Sequence, residues 1–411
     1  MKKTLLAISL ACLLTACGSS SDDDSSSGGG APSSSLQTGV FTDGPVANIR
    51  YETSSGLTGT TDAQGQFQYN TGDSVTFYLG DIKLGSSEAQ AHVTPLDLSP
   101  DSPVRATNLL ILLQSLDSDH DHSNGIRISD DVLAALKGKT LDLSVDTEQF
   151  VQSPALTEVL SSENLTLVTA DAAKKNFFDS FIKDNAGAWI LEDKTDNSKV
   201  ILYIDSETAS GDNQYAFNFL LGETAAADDS GKPGIEKGQI SWDPMTGKLS
   251  KVQDFEIDTN GEWGLSHPQG DFILTYGTAK DTLILKEGNE THIFKKADNT
   301  ANSVVGTWVT DGLIINLASD KSFITIATET DDCAQPGIEA GTYEAGADYI
   351  QAKTMSIDTT GCSGFVDTWG SAADQYDLDK FKLTLAGNSL TVQYVDGDTG
   401  ETDVPVVFSR K

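Results

Sequence analysis

Downstream of residue 35 the chain changes its hydrophobic period twice. The first stretch, "TGVFTDGPVANIRYETSSGLTGTTDAQGQFQYNTGDSVTFYLGDIKLG", is a series of short runs separated by "DGP", "DAQGQ" and "NTGD". Alternation in "QFQY" and "VTFYLG" predicts strands with one buried face, and the Gly/Asp punctuation predicts tight turns. After Pro103 the spacing becomes helical in "VRATNLLILLQSL", "SDDVLAALKG", "SPALTEVLSS" and "TADAAKKNFFDSFIKD", with Ser129 and Thr169 placed as N-caps. From about residue 185 alternation returns and runs to the C-terminus.

This last region repeats itself. "KPGIEKGQIS" at 232–241 returns as "QPGIEAGTYE" at 335–344, and "IDTNGEWGLS" at 257–266 returns as "IDTTGCSGFV" at 357–366. Each copy opens on Gly-x-Trp, at Gly187-Ala188-Trp189 and Gly306-Thr307-Trp308, and closes on a basic strand end, "THIFKK" or "VVFSRK". Three matched blocks in one order indicate duplication. Short strands between Asp/Gly turns suit an antiparallel barrel or sandwich. The expected fold is mainly β: a small β-sandwich (38–100), a short helical segment (101–184), then two repeated antiparallel β domains (185–300 and 301–411).

The ends add a location. "MKKTLLAISLACLLTAC" has two lysines, an apolar run and small residues before a cysteine, which is the layout of a secretory signal. Leu14-Thr15-Ala16-Cys17 resembles the lipobox of bacterial lipoproteins. That resemblance implies removal of residues 1–16 and acylation of Cys17, and Gly18-Ser19 in place of an aspartate implies the outer membrane. Residues 17–37, including "GSSSDDDSSSGGGAPSSS", carry too little apolar surface to offset chain entropy and read as a flexible tether. The formal charge of −34 becomes two units more negative without Lys2 and Lys3. A surface so acidic repels nucleic acid and anionic headgroups. With Cys12 in the leader and Cys17 lipidated, Cys333 and Cys362 remain, and an exported chain most simply pairs them. Such a bridge, closing about 30 residues, contributes about 3 kcal/mol.

Further resemblances follow from the quoted motifs. "GTTDAQGQF" at 59–67 is similar to the turn of carboxypeptidase-regulatory and transthyretin-like β-sandwiches. Gly-x-Trp on a first strand with a late basic residue resembles the lipocalin pattern, which implies that Arg410 packs over Trp308; the first copy offers Lys295 and Lys296 instead. The layout, with "DGPVANIRYET", "LLQSLDSD" and "GTYE…DTTG", resembles lipoproteins of marine and related Gram-negative bacteria, a set without an assigned reaction.

The stretch "SLDSDHDHSNGIRISDD" at 115–131 holds the densest chemistry. As a standard EF-hand it fails, because His122 stands where glycine is needed and Ile128 where the closing ligand belongs. Widened by two residues, the loop offers Asp117, Asp119, Asp121 and Asp130 as structural calcium ligands, with Ile126 in the bridging position. A solvated turn with Asp130 at a helix start is the alternative. His120 and His122 are a weaker zinc pair, with no cysteine or third histidine nearby.

Hydrolase signals are fragmentary. "GDSV" at 72–75 and "DSDH" at 117–120 resemble pieces of GDS-type esterases but lie too close together, in the wrong fold context. Ser266-His267 has no acid positioned by sequence, and the usual nucleophile, zinc and phosphate motifs are missing from the chain. The repeated Glu236/Glu339 and Asp258/Asp358 read as turn and cap residues. Trp263 and Trp369, in Gly-rich turns, are candidate ligand-stacking platforms. The expectation is a non-enzymatic, lipid-anchored envelope protein that binds a ligand, polymer or partner. A carrier of an apolar molecule inside lipocalin-like barrels is the alternative, and an unfamiliar hydrolase the third.

Overall fold

The computed structural model describes residues 35–193, 198–208, 213–225, 231–262, 264–330, 334–365, 367–368, 376–377, 380–395 and 399–411. The chain is mainly β, as its alternation predicts, with five α-helices among the described residues.

The first module is a sandwich of two sheets. One runs Gln66–Asn70, Leu36–Phe41, His92–Val93; the other runs Thr58–Thr60, Arg50–Thr53, Ser74–Leu79, Ile82–Glu88. Inward positions alternate along the strands, and Phe41, Phe67 and Phe77 meet between the sheets at ring-centroid distances of 4.5 and 5.2 Å. The "TTDAQGQF" turn divides its labour among its residues. Thr61 donates its hydroxyl to Val46 O and accepts from Ile49 N. Asp62 accepts from the N–H groups of Gln64 and Gln66. Gly65 takes φ +70°, and a side chain there would collide with the backbone of Phe41.

The helical segment comprises α1 (Pro103–Ser115), α2 (Asp130–Leu136), α3 (Thr147–Val151), α4 (Pro154–Ser162) and α5 (Ala170–Asn185). Ser129 and Thr169 cap α2 and α5 through side-chain bonds to Val132 N and Ala172 N, as the sequence predicts. The α3 turn, only five residues long, is an addition to the expected helices. α1 is buried from Ala106 to Ser115, with the apolar run Leu109–Leu113 in its centre and Thr107, Asn108, Gln114 and Ser115 buried as polar residues.

Each repeat folds as an eight-stranded up-and-down barrel. In the second, the strands Gly306–Thr310, Leu313–Leu317, Ser322–Ala327, Gly337–Ala345, Tyr349–Asp358, Phe381–Ala386, Ser389–Tyr394 and Val406–Arg410 form a closed sheet. In the first, the sheet runs Leu249–Lys251, Gly234–Trp242, Ala216–Glu223, Ser198–Thr208, Gly187–Asp193, Glu290–Lys296, Thr282–Glu287, Phe272–Tyr276, with Ile257–Asp258 paired beside Gly234–Trp242, and a single Lys248–Ile273 bridge links its two edges. The circuits close alike. Trp189 faces Lys296 across the strand pair and Trp308 faces Arg410. Lys296 Nζ lies 5.3 Å from the Trp189 ring centroid, and the Arg410 guanidinium 4.2 Å from that of Trp308. Both indole N–H groups donate to a carbonyl four residues upstream at 2.7 Å. The expected Arg410 contact is therefore present, and Lys296 takes its place in the first copy.

The duplicated segments match in three dimensions bond for bond. Thr259 Oγ1 accepts from Ile235 N at 2.9 Å, and Thr359 Oγ1 from Ile338 N at 2.8 Å. Backbone bonds Lys232 N to Asn260 O and Gln335 N to Thr360 O repeat one another, as do the bridges Gly231–Gly261 and Ala334–Gly361. The barrels pack through an aliphatic seam that includes the matched pairs Ile201/Ile314, Leu220/Ile324 and Ile235/Ile338. Both copies thus offer the same outer patch to each other, the arrangement of a self-complementary two-fold interface. Gly222 makes room for it, since a side chain there would press on Ile326 and Ile338.

Candidate functional site

The motifs "TDGP" and "LLQSLDSDHDHSNGI", 70 residues apart in the chain, meet at one place. Strand Ile126–Arg127 pairs in parallel with Val46–Ala47, and Ile126 N donates to Pro45 O at 2.8 Å. The stretch therefore adds one short strand, Ile126–Arg127, beside Val46–Ala47 in a two-stranded sheet of its own, while its aspartates lie in the turns around that strand. Beneath it Asp43, fully buried, accepts from Gln114 Nε2 with both oxygens at 3.1 Å, and Gln114 Oε1 accepts from Asn176 at 2.9 Å. Burial drives the Asp43 carboxyl well above the usual carboxylate range, against the lowering effect of Gln114.

A recess of about 730 Å³ opens between this added strand and the sandwich turn, with Asn48, Asp62, Asp119, Asn124, Arg127 and Asp130 among its lining residues. That volume lies in the range of small-molecule sites. The lining is mainly polar side chains and exposed turns, with three carboxylates around one arginine.

The carboxylates named as calcium ligands are split among separate tasks. Asp117 is buried at the end of α1 and accepts from Arg127 N at 2.9 Å, its other oxygen 3.4 Å from His122 Nδ1. Asp119 accepts from Asp121 N and Asn124 Nδ2, which hold its pKa below the usual range. Asp121 caps Ser123 through its N–H and hydroxyl. Asp130 accepts from Asn48 Nδ2 at 2.9 Å, across the recess. Among the described residues no three or more acidic, histidine or cysteine side chains are grouped so as to hold a metal ion. In this structure each of the four carboxylates offered as calcium ligands takes hydrogen bonds from its own partner, and His120, with φ +60°, is a turn residue.

The esterase fragments resolve into turn chemistry. Asp73 of "GDSV" accepts from the Ser54 and Ser55 hydroxyls and from Ser55 N and Asn70 N. Against a desolvation cost, those bonds hold it at about 2. Ser266 Oγ lies 2.7 Å from His267 Nδ1, but Asp258 approaches that same nitrogen, at 3.9 Å. A relay needs serine and acid on opposite ring nitrogens, so this grouping is not one.

Glu236 and Glu339 correct their reading as turn and cap residues. Both lie within strands, both are fully buried, and each carboxylate clamps the glycine-rich loop of its own barrel. Glu236 accepts from Leu265 N at 2.8 Å and Ser266 N at 2.9 Å; Glu339 accepts from Phe365 N at 2.6 Å. The clamped loops drive Leu265 and Phe365 inward. Phe365 packs on Phe323 and Phe381 inside the second barrel at centroid distances of 5.2 and 5.4 Å. α5 closes on the first barrel, where Phe181 stacks on Trp242 at 4.0 Å and 6°. The signal for the clamps was the exact recurrence of "PGIE" beside "G-x-x-G", which sequence alone could not place inside a barrel.

Trp263, Trp369, Cys333 and Cys17 lie outside the described residues. No helix among the described residues is long and apolar enough to cross a membrane, which leaves β-barrel insertion unaddressed. No family model matches the chain. No curated protein matches it. Among solved structures, the DNA polymerase III subunit beta from Pseudomonas aeruginosa is similar at a TM-score of 0.10 and 9% identity, over 55% of this chain and 77% of that one. A likeness at that level carries no argument about fold or function.

Proposed function

We propose that this is a non-enzymatic protein, anchored in the outer membrane through Cys17, that binds a ligand, polymer or partner at its surface in the cell envelope. One observation supports surface binding over internal carriage: large side chains of the chain itself pack together inside the second barrel. Trp308, Phe323, Tyr343, Phe365, Leu390 and Phe408 form the core of the second barrel. The recess on the sandwich offers a polar surface instead. The lipocalin-like carrier is the second reading, favoured by the eight-stranded circuit and its Trp–cation closure.

A disulfide between Cys333 and Cys362 belongs to the same proposal. The Ala334–Gly361 bridge places the neighbours of the two cysteines opposite each other, which supports it.

Replacing Cys17 by serine should move the protein from the membrane pellet to the soluble fraction, with its β content by circular dichroism unchanged. Continued sedimentation with outer membranes would remove the anchor from the account. The soluble form, digested without reductant, should yield one linked peptide containing Cys333 and Cys362.

A further inference from the structure

The recess beside Ile126–Arg127 carries charge of both signs and pairs none of it within the chain. Asp62, Asp119 and Asp130 line it together with Arg127, three carboxylates against one guanidinium, an excess of two negative charges. Among the described residues no ion pair joins Arg127 to any of the three, and no other lysine or arginine reaches them. Neutral donors fix the carboxylates instead. Asp62 takes Gln64 N and Gln66 N on Oδ1, and Asp130 takes Asn48 Nδ2 on Oδ1, so Oδ2 of each has no donor among the described residues. Asp119 engages both oxygens, with Asp121 N and Asn124 Nδ2.

A buried charge stands behind the strand. Asp117 Oδ1 accepts from Arg127 N at 2.9 Å, while its buried Oδ2 takes no hydrogen bond and lies 3.4 Å from His122 Nδ1. It is near enough to Asp119 to act on that residue's titration. A buried carboxylate without a lysine or arginine beside it favours an incoming cation.

The unpaired charges narrow the ligand. An anion meets the negative excess, and an apolar molecule would leave these groups without partners. No aromatic side chain lines the recess to stack a sugar ring. We propose that the recess binds a zwitterion of net positive charge, a basic amino acid either free or at the carboxyl end of a peptide, with its ammonium groups on Asp62 and Asp130 and its carboxylate on Arg127. A guanidinium can hold both oxygens of a carboxylate, which gives the site its polarity. The volume of about 730 Å³ suits a ligand of this size, and the net charge of −34 draws cations toward the chain. The proposal rests on the surface-binding reading above and gives that surface a ligand class.

Calorimetric titration of the full mature chain carrying Cys17→Ser, at low salt, tests it with the tripeptide Gly-Lys-Lys and with lysine. The tripeptide should bind at one per chain, about fivefold tighter than its carboxamide, and Arg127→Gln should abolish that difference. Asp62→Asn combined with Asp130→Asn should weaken binding about tenfold. The same change of charge at exposed Asp254 and Asp271 should alter it less than about twofold. Lysine binding as tightly as the tripeptide assigns the site to the free amino acid, and weaker binding assigns it to a peptide end. Failure of both probes to bind, or equal affinity of the tripeptide and its carboxamide for the unsubstituted recess, would overturn the proposal without any recess variant having to fold. Equal losses from the two paired substitutions would also overturn it, since the acidic surface as a whole would then be the attractor. The surface-binding reading is decided separately, by whether the extracted protein retains an apolar molecule.

Discussion

Replacing Trp308 by alanine should cost the second barrel about 3–5 kcal/mol, the range for deleting a large buried aromatic. Trp308 is fully buried, its indole N–H is bonded to Val304 O, and its ring is covered by Arg410. Arg410 is itself fixed by Asn299, Ser303 and Val305, so removing the ring leaves a guanidinium above a void. The second barrel keeps a core separate from the large core shared by the sandwich, helices and first barrel. The loss should therefore appear in calorimetry as an early transition of the second barrel, followed by a nearly unchanged main transition. A uniform downward shift of a single transition would mean that the two cores unfold as one.

The second large effect is expected at the clamps. Glu339→Ala removes the acceptor of a buried N–H at Phe365 and empties the space beside it. An unsatisfied buried group costs about 1–3 kcal/mol, and more when a charge was the partner. Glu339→Gln keeps an oxygen in place and should retain most of the stability. If the clamp holds Phe365 inside, the alanine variant should also bind a hydrophobic dye that the wild type and the glutamine variant exclude. Gly364→Ala should resemble Glu339→Ala, because its φ of +106° and the adjacent Glu339 carboxylate leave no room for a methyl group. Equal dye binding by the alanine and glutamine variants would show that Phe365 is not retained by this carboxylate. Glu236 supplies an internal comparison, since its two bonds, to Leu265 and Ser266, repeat the arrangement in the first barrel.

What the sequence revealed and what it withheld divide by the range of the interaction. Ser129 and Thr169 were readable as caps because a cap bonds within three residues of itself. The Trp308–Arg410 contact was expected from the resemblance of Gly-x-Trp and a late basic residue to the lipocalin pattern, and the pairing of first and last strands supplies it. Asp62 and Gly65 were readable as a turn for the same local reason. Other features depend on pairings that no local pattern encodes. The Val46–Ile126 ladder and the Asp43–Gln114 bond join segments 80 and 71 residues apart, respectively. Glu236 and Glu339 looked like turn residues because a charged side chain between Pro-Gly and Gly is ordinary at a turn. Their role follows from the inward face of a barrel strand and from a loop that folds back into the barrel. The acidic stretch read either as one calcium ligand set or as a solvated turn, and the partners of its aspartates, Asn48, Ser123 N and Arg127 N, lie where local spacing does not point.

The side chains packed inside the second barrel are the observation on which the functional account leans, and native mass spectrometry of the protein extracted from its own outer membrane tests that account most directly. The account predicts one lipidated chain beginning at Cys17, with no stoichiometric apolar molecule retained. One or two apolar molecules bound per chain would contradict it and return the barrels to the role of carriers.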